Sequence, residues 1–480
     1  MCGGDILARE MRPSQENCEK MVQTKPAPPA PLHLIRSLVS VTVGSLLLRT
    51  AAGAMGENIQ FYLNSIHDAA RSPASPLRII AGASNVYSIS YTLGGIIIGS
   101  FFVAELIGSL FFGAWSDRFG RKLFIILGPL FGAIAVQITA LTTVIWLLIV
   151  TRILEGLSTA SNAPATLGYL ADATAHSPKL RARAVGYYEI ATIGGIALGF
   201  SVGGWLWRNF GSPKILAGIP VTSPAFALNA ILYLASMLVL LYGIRNIRER
   251  PDSGQERTPI RDTLKNYWRI FSSPRVSGFA PAWIAINAVL GIWINLTARI
   301  LTDRNLRPHQ LLVGLYNSFQ AGNVRAAYAL FFIFGILLWS IFFPHVRRTT
   351  AMLVGIGGLF VSDLLLWAIN HQPSLNVPLV PILAVFLVVS IMIQSGFTPA
   401  ALAYLADITE DHSSNRGAIM GLYSVFLGLG QFLGASLGGP FVDLAGADGM
   451  ILSTVILGVF AGGMILWLRA AENRRVRSTE

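Results

Sequence analysis

The sequence predicts an all-α integral membrane protein with twelve transmembrane helices in two six-helix halves. Three observations lead there: an apolar composition, recurrent runs of membrane-spanning length, and an internal repeat. Hydrophobic residues make up 53% of the 480-residue chain and charged ones 12%. A soluble globule of this size cannot hide so much apolar surface, so much of the solvent must be lipid.

A bilayer core of roughly 30 Å takes about 20 apolar residues per helix. Runs of this kind place spans at 34–62, 85–113, 123–142, 144–170, 184–207, 223–244, 277–301, 326–344, 350–370, 377–404, 417–440 and 449–469. They divide the chain into an N-terminal tail (1–33), an N-terminal half (34–244), a central loop (245–276), a C-terminal half (277–469) and a C-terminal tail (470–480). The first residues hold charges and a Pro cluster rather than a short apolar core, so no cleavable signal peptide is expected and the first span directs insertion. Both cysteines, Cys2 and Cys18, fall in the tail, which leaves none to bridge external loops.

The net charge of +12 raises the question of nucleic acid. Placing the N-terminus in the cytosol puts roughly 26 of the 36 Lys and Arg on cytosolic segments, about seven outside and three within spans. The basicity is therefore a topology signal. It puts both termini inside and argues against nucleic-acid binding.

Pro164 to Gly204 aligns without a gap on Pro399 to Gly439, at an offset of about 235 residues. Asp172 falls on Asp407, Arg181 on Arg416, Gly186 on Gly421, and Tyr188 on Tyr423. Gly199, Gly203 and Gly204 fall on Gly434, Gly438 and Gly439. The fourth-to-fifth span unit thus recurs as the tenth-to-eleventh. Parallel halves of this kind enclose a site near the membrane midplane.

Between the second and third spans the chain reads GAWSDRFGRK, from Gly113 to Lys122. Gly113, Asp117, Arg118, Gly120, Arg121 and Lys122 fill the pattern G-x-x-x-D-R-x-G-R-[KR], by which the sequence resembles the major facilitator superfamily. A carboxylate and basic groups in a short loop at the cytosolic end of two helices make a latch for one conformation. The corresponding FFPHVRRTT of the second half keeps Arg347 and Arg348 but lacks the Asp and both glycines, so the latch is expected to be lopsided.

Arg152-Ile-Leu-Glu155-Gly156 in the fourth span resembles the family's R-x-x-Q-G, with Glu155 where Gln is commoner. Residues three apart share a helix face, so Arg152 and Glu155 can pair. In the fifth span, Gly199-Phe200-Ser201-Val202-Gly203-Gly204 resembles the antiporter-associated G-P-x-x-G-G, with Phe200 replacing its proline. A packing face of small residues and a coupling element both fit this pattern.

Charges at membrane depth are functional candidates by default. Arg49, Glu57, Glu105, Arg152, Glu155 and Asp363 are the candidates for proton coupling or substrate contact; Glu189 and Arg299 lie near span ends. Pro164 and Pro399 bend the fourth and tenth spans, as hinges or as static kinks, beside the packing glycines Gly199, Gly203, Gly204, Gly434, Gly438 and Gly439. Many Tyr and Trp residues sit near span ends, as an interfacial belt requires.

The chain contains no phosphate-binding G-x-x-x-x-G-K-[ST], no H-E-x-x-H and no Cys/His cluster at metal spacing, so neither an enzyme, a metal site nor a cofactor is expected. The resemblance implies a secondary active transporter similar to twelve-span drug:proton antiporters, particularly fungal members. Its partners would be a small-molecule substrate, protons and the lipid bilayer, with a monomer in the plasma membrane or an intracellular membrane. Proton-coupled uptake of a small metabolite, and a receptor on the same fold that does not transport, are the alternatives.

Overall fold

The structure, a computed structural model, describes residues 32–175, 177–245, 272–306, 309–343, 346–408 and 416–479. Most of the N-terminal tail (1–33) and of the central loop (245–276) lies outside these, as do Cys2 and Cys18.

Six helices form the N-terminal half: α1 (Leu32–Arg71), α2 (Tyr91–Phe119), α3 (Arg121–Thr139), α4 (Ile145–Ala173), α5 (Pro178–Phe210) and α6 (Pro224–Gly243). The C-terminal half holds α7 (Pro274–Thr302), α8 (Ser318–Phe342) and α9 (Arg348–Asn370), then α10 in two segments, Leu379–Gln394 and Phe397–Ile408. A continuous run, Arg416–Thr479, follows and divides at Gly446, whose φ of 64° and ψ of −134° are not helical, into α11 (416–445) and α12 (447–479). Ten helices among the described residues are long and apolar enough to cross a membrane. Dividing the last of them at Gly446 and adding α4, which carries Arg152 and Glu155, gives twelve.

Local chemistry sets the helix ends. Ser177 caps α5 by accepting from Leu180 N at 3.3 Å, with Pro178 in the first turn, where its missing N–H costs nothing. Asn317 and Gln320 form a reciprocal capping box at the start of α8. Gly120, at φ 102°, separates α2 from α3 in a conformation that side chains disfavour. A short antiparallel hairpin, β1 (Lys214–Leu216) and β2 (Ile219–Val221), turns through Ala217 and Gly218, both at positive φ, and links α5 to α6.

Each half has its own apolar core. In the N-terminal half Tyr62, Phe226, Tyr233 and Ile97 are buried together; in the C-terminal half Phe279, Trp283, Met352 and Phe426 are. Outside these cores, large apolar side chains such as Ile190, Leu364 and Val385 are exposed on the helix surfaces. A surface so rich in exposed apolar side chains is suited to lipid rather than water.

Several spans extend beyond their sequence-based ends. α1 runs to Arg71 rather than 62, and α8 begins at Ser318 rather than 326, because these stretches are polar yet held between helices of the opposite half. Pro164 lies inside continuous α4, as expected. Pro399 instead lies in the first turn of the second α10 segment, and the interruption is at Ser395 and Gly396.

Candidate functional site

The GAWSDRFGRK segment is not a loop. Gly113 to Phe119 belong to the last turns of α2, and only Gly120 leaves the helical conformation. Being helical puts Asp117 four residues from Arg121 on a near-continuous helical path, where they form an ion pair. Arg121 Nε also lies 3.1 Å from Asp172 Oδ2 at the end of α4. A Cβ at Gly168 would overlap the Arg121 guanidinium, so that glycine makes room for it. Arg118 stacks on Phe119 at 5.6 Å, Lys122 is half-buried, and Gly113 faces Pro164 of α4.

The second half retains more of this device than its sequence suggests. Arg348, in the first turn of α9, has its Nε 3.5 Å from Asp407 Oδ2 at the end of α10. Asp407 is the repeat partner of Asp172, so the Arg–Asp element is present in both halves. The acid missing from FFPHVRRTT is the counterpart of Asp117 alone.

Arg152 and Glu155 form an ion pair within α4, and both are buried. The Arg152 guanidinium also lies 5.0 Å from the Phe101 ring centroid of α2. Glu105 of α2 is within electrostatic reach of Arg49 and Glu155. Among the described residues neither Arg49 nor Glu105 forms an ion pair; Arg49 Cβ lies against Gly195 of α5. These groups all belong to the N-terminal half. Asp363 is correspondingly internal to the C-terminal half, where its Oδ2 accepts from Thr454 Oγ1 of α12 at 3.1 Å.

Glu57 is different, because it faces the other half. Its carboxylate pairs with Arg325 of α8, and the two side chains are 0% and 6% exposed. Arg325 also donates to the Ile294 carbonyl of α7 and lies 4.3 Å from the Phe200 ring centroid. Phe200 is the residue that stands where the antiporter-like pattern has proline. An arginine buried with a carboxylate, a carbonyl and an aromatic face has its charge met on several sides. Arg325 lies one residue before the apolar run that starts at 326, outside the stretch that hydropathy marks as a span.

The glycines lie where helices come closest. A Cβ on Gly199 would be 2.6 Å from Thr50 O, and one on Gly203 would be 2.8 Å from Ala54 Cα and Glu57 Cβ, both toward α1. Gly204 abuts Ser318 of α8 across the boundary between halves. Gly434 and Gly438 repeat this against Ala288 and Ile292 of α7, and Gly439 abuts Tyr91 and Thr92 of α2. The seams α5–α8 and α11–α2 are therefore repeat-related.

The bundle has a proximal end, where α1 begins, and a distal end, where α1 finishes. Among the described residues, hydrogen bonds between the halves lie toward the distal end. Gln60 donates to Ile294 O at 3.1 Å, Asn64 to Arg299 O at 2.9 Å, Asn305 to Asp68 at 3.1 Å, and Ser318 to Gly204 O at 3.2 Å. Arg299 donates to Asn64, Ser90 O and Ile89 O at 2.7, 2.9 and 2.5 Å. Arg299, Tyr91, Asp303 and Asp443 also line a distal cavity of about 490 Å³. In the proximal part of α5 a Cβ on Gly186, and at its midpoint one on Gly194, would have no neighbour within 4 Å. The halves are thus joined distally. No group of three or more His, Cys, Asp or Glu suited to a metal ion occurs among the described residues.

Comparison with known proteins agrees with this architecture. Multidrug resistance protein 1 of Bacillus subtilis (strain 168) is 25% identical over 393 residues, covering 81% of this chain and 90% of that protein. Quinolone resistance protein NorA of Staphylococcus aureus (strain MRSA252) is 22% identical, covering 79% and 88%. The fold superposes on the nucleoside transporter NupG with a TM-score of 0.67 at 12% identity, covering 92% of this chain and 99% of that one. It superposes on an inward-facing bacterial homologue of the human lysosomal transporter Spinster with a TM-score of 0.66 at 17% identity, covering 92% and 97%. The sequence matches the Major Facilitator Superfamily over residues 54–316 and again over 311–480. With two repeat-related halves of membrane-spanning helices, this match means that the chain is a multi-pass membrane protein and belongs to the Major Facilitator Superfamily.

Proposed function

We propose that the chain is a secondary active exporter of small organic compounds, exchanging them for protons by alternating access across the plasma membrane. The resistance proteins among its relatives support the cargo class and the direction. The positive-inside bias supports a cytosolic proximal end, so distal closure corresponds to a carrier shut toward the outside.

The observation that carries the coupling is the buried Glu57–Arg325 pair between the halves. Separating it exposes two charges at membrane depth, and breaking such a pair by removing one partner costs about 3–5 kcal/mol. The pair forms only while Glu57 is deprotonated. It therefore holds the unloaded carrier, and a proton on Glu57 or a cargo group that displaces one partner releases it. A symporter must return unloaded, whereas an exchanger must not. A lock on the unloaded state accordingly favours exchange.

Transport of a fluorescent quinolone into inverted membrane vesicles tests this. Accumulation should follow an inward-acid proton gradient and collapse when that gradient is dissipated. Accumulation confined to right-side-out vesicles would overturn the export reading, and binding without gradient-dependent flux would overturn transport itself.

A further inference from the structure

We infer that Asp443 holds the distal gate shut by capping the N-terminus of α2 across the boundary between the halves. This rests on the alternating-access reading above and adds to it the residue that sets the stability of the closed gate.

The first N–H groups of any helix lack partners within it. In α2 the side chain of the local cap, Ser90, accepts from Leu93 N alone, at 3.1 Å. Tyr91 N and Thr92 N instead donate to Asp443 of α11 at 2.7 and 2.9 Å, and Thr92 Oγ1 adds a third bond of 2.6 Å. A carboxylate at a helix N-terminus also meets the positive end of the helix dipole. The cap of α2 is thus completed from the opposite half.

Two features show that this contact is built into the seam. Gly439 lies one turn before Asp443 on the same helix, and a Cβ there would stand 2.6 Å from Thr92 Cα, so its glycine lets α11 approach closely enough for the carboxylate to reach. On the opposite jaw, Arg299 of α7 donates to Ile89 O and Ser90 O and lies 4.0 Å from the Tyr91 ring centroid, while Tyr91 Oη donates to Asp303 at 3.0 Å. Residues 89–92 are gripped by both helices of the C-terminal half that reach them.

The repeat supplies an internal control. The residue at Asp443's position in the other seam is Arg208, at the same offset of about 235 residues. It is exposed, and the helix start beside it, that of α8, carries its own complete capping box of Asn317 and Gln320. A carboxylate from the opposite half occurs where the local cap is incomplete, and a cation where the local cap suffices. Opening the distal side exchanges the Asp443 bonds of Tyr91 N and Thr92 N for water, a loss of a helix cap that has no equivalent at the α5–α8 seam.

The test uses the full chain in proteoliposomes, with Cys2→Ser, Cys18→Ser and a probe at Ser436→Cys, which faces Gly99 in the α2–α11 seam. A membrane-impermeant maleimide is applied to the distal face. Asp443→Ala should raise the labelling rate by roughly two- to thirtyfold, the range set by loss of one helix cap. Asp443→Asn keeps one acceptor oxygen but loses the charge and turns an N–H group toward a donor, so its labelling should fall between the parent and Asp443→Ala. Thr92→Val removes one donor and should raise labelling less than Asp443→Ala; it also serves as the reading should Asp443→Ala fail to reach the membrane. If a proton gradient with quinolone alters labelling of the parent but neither Asp443→Ala nor Thr92→Val does, the cap is overturned and the transport reading stands. If the gradient alters labelling in no variant, both fall.

Discussion

Arg348 pairs with Asp407 at 3.5 Å, reproducing in the C-terminal half the 3.1 Å contact between Arg121 and Asp172. The two contacts differ in what surrounds them. Arg121 is 21% exposed and holds a second carboxylate, Asp117, whereas Arg348 and Asp407 are 37% and 60% exposed. Exposed pairs contribute about 0–1 kcal/mol, and networks more. Arg121→Gln should therefore lower the initial rate of transport by roughly tenfold and Arg348→Gln by less than about threefold; equal losses would show that the halves are latched alike.

Glu57→Gln and Arg325→Gln should each destabilise the chain, because each leaves a buried polar or charged partner behind, at a cost of about 3–5 kcal/mol. The double variant should recover much of the lost thermal stability while remaining unable to couple flux to protons. A melting series in detergent over the four proteins gives the interaction energy directly. Additive losses would mean that the two side chains do not act as a pair.

Gly199→Ala should lower the melting temperature, since its Cβ would meet Thr50 O at 2.6 Å and Gly53 Cα at 2.7 Å, both backbone atoms that cannot rotate away. Overpacking of this kind costs about 1–3 kcal/mol. Gly194→Ala, five residues earlier on the same helix and without a neighbour within 4 Å, should be neutral or slightly stabilising.

Phe200→Leu keeps the apolar volume but removes the ring that faces Arg325 at 4.3 Å. A desolvated cation–π contact contributes up to about 2 kcal/mol. The variant should weaken closure between the halves and raise futile proton leak in vesicles, read as faster decay of an imposed gradient without cargo. Unchanged decay would remove Phe200 from the coupling device.

Asp363→Asn should preserve proton-coupled flux, because Asp363 is bound to Thr454 within one half. Loss of coupling with intact membrane insertion would place Asp363 on the proton path instead.

The fold was legible because lipid imposes helix length and because the repeat fixes the parallel relation of the halves. Arg152 and Glu155 were legible as a pair for the same local reason, being three residues apart on one helix. Asp443, Arg325 and the role of Arg299 were not. Each lies in or beside a stretch too polar to extend an apolar run, and each is satisfied by a partner on the opposite half, up to 352 residues away in sequence. Hydropathy registers the cost of such a residue but not the contact that offsets it. Asp407 shows the same limit within one half, since Arg348 reaches it only through the packing of α9 beside α10.

The interruption of α10 changes what moves as a unit. Where the helix breaks at Ser395 and Gly396, Trp339 of α8 donates its indole N–H to Met392 O and Ile393 O at 3.2 and 3.1 Å. Backbone carbonyls that a break would turn loose in lipid already have a donor that belongs to a neighbouring helix. A swing of the proximal segment of α10, with Asp407 at its tip, about this joint would leave those two carbonyls bonded. α4, continuous through Pro164, has no such joint. On the proposed alternating access, the N-terminal half would rock as one body, whereas the C-terminal half would carry a joint of its own.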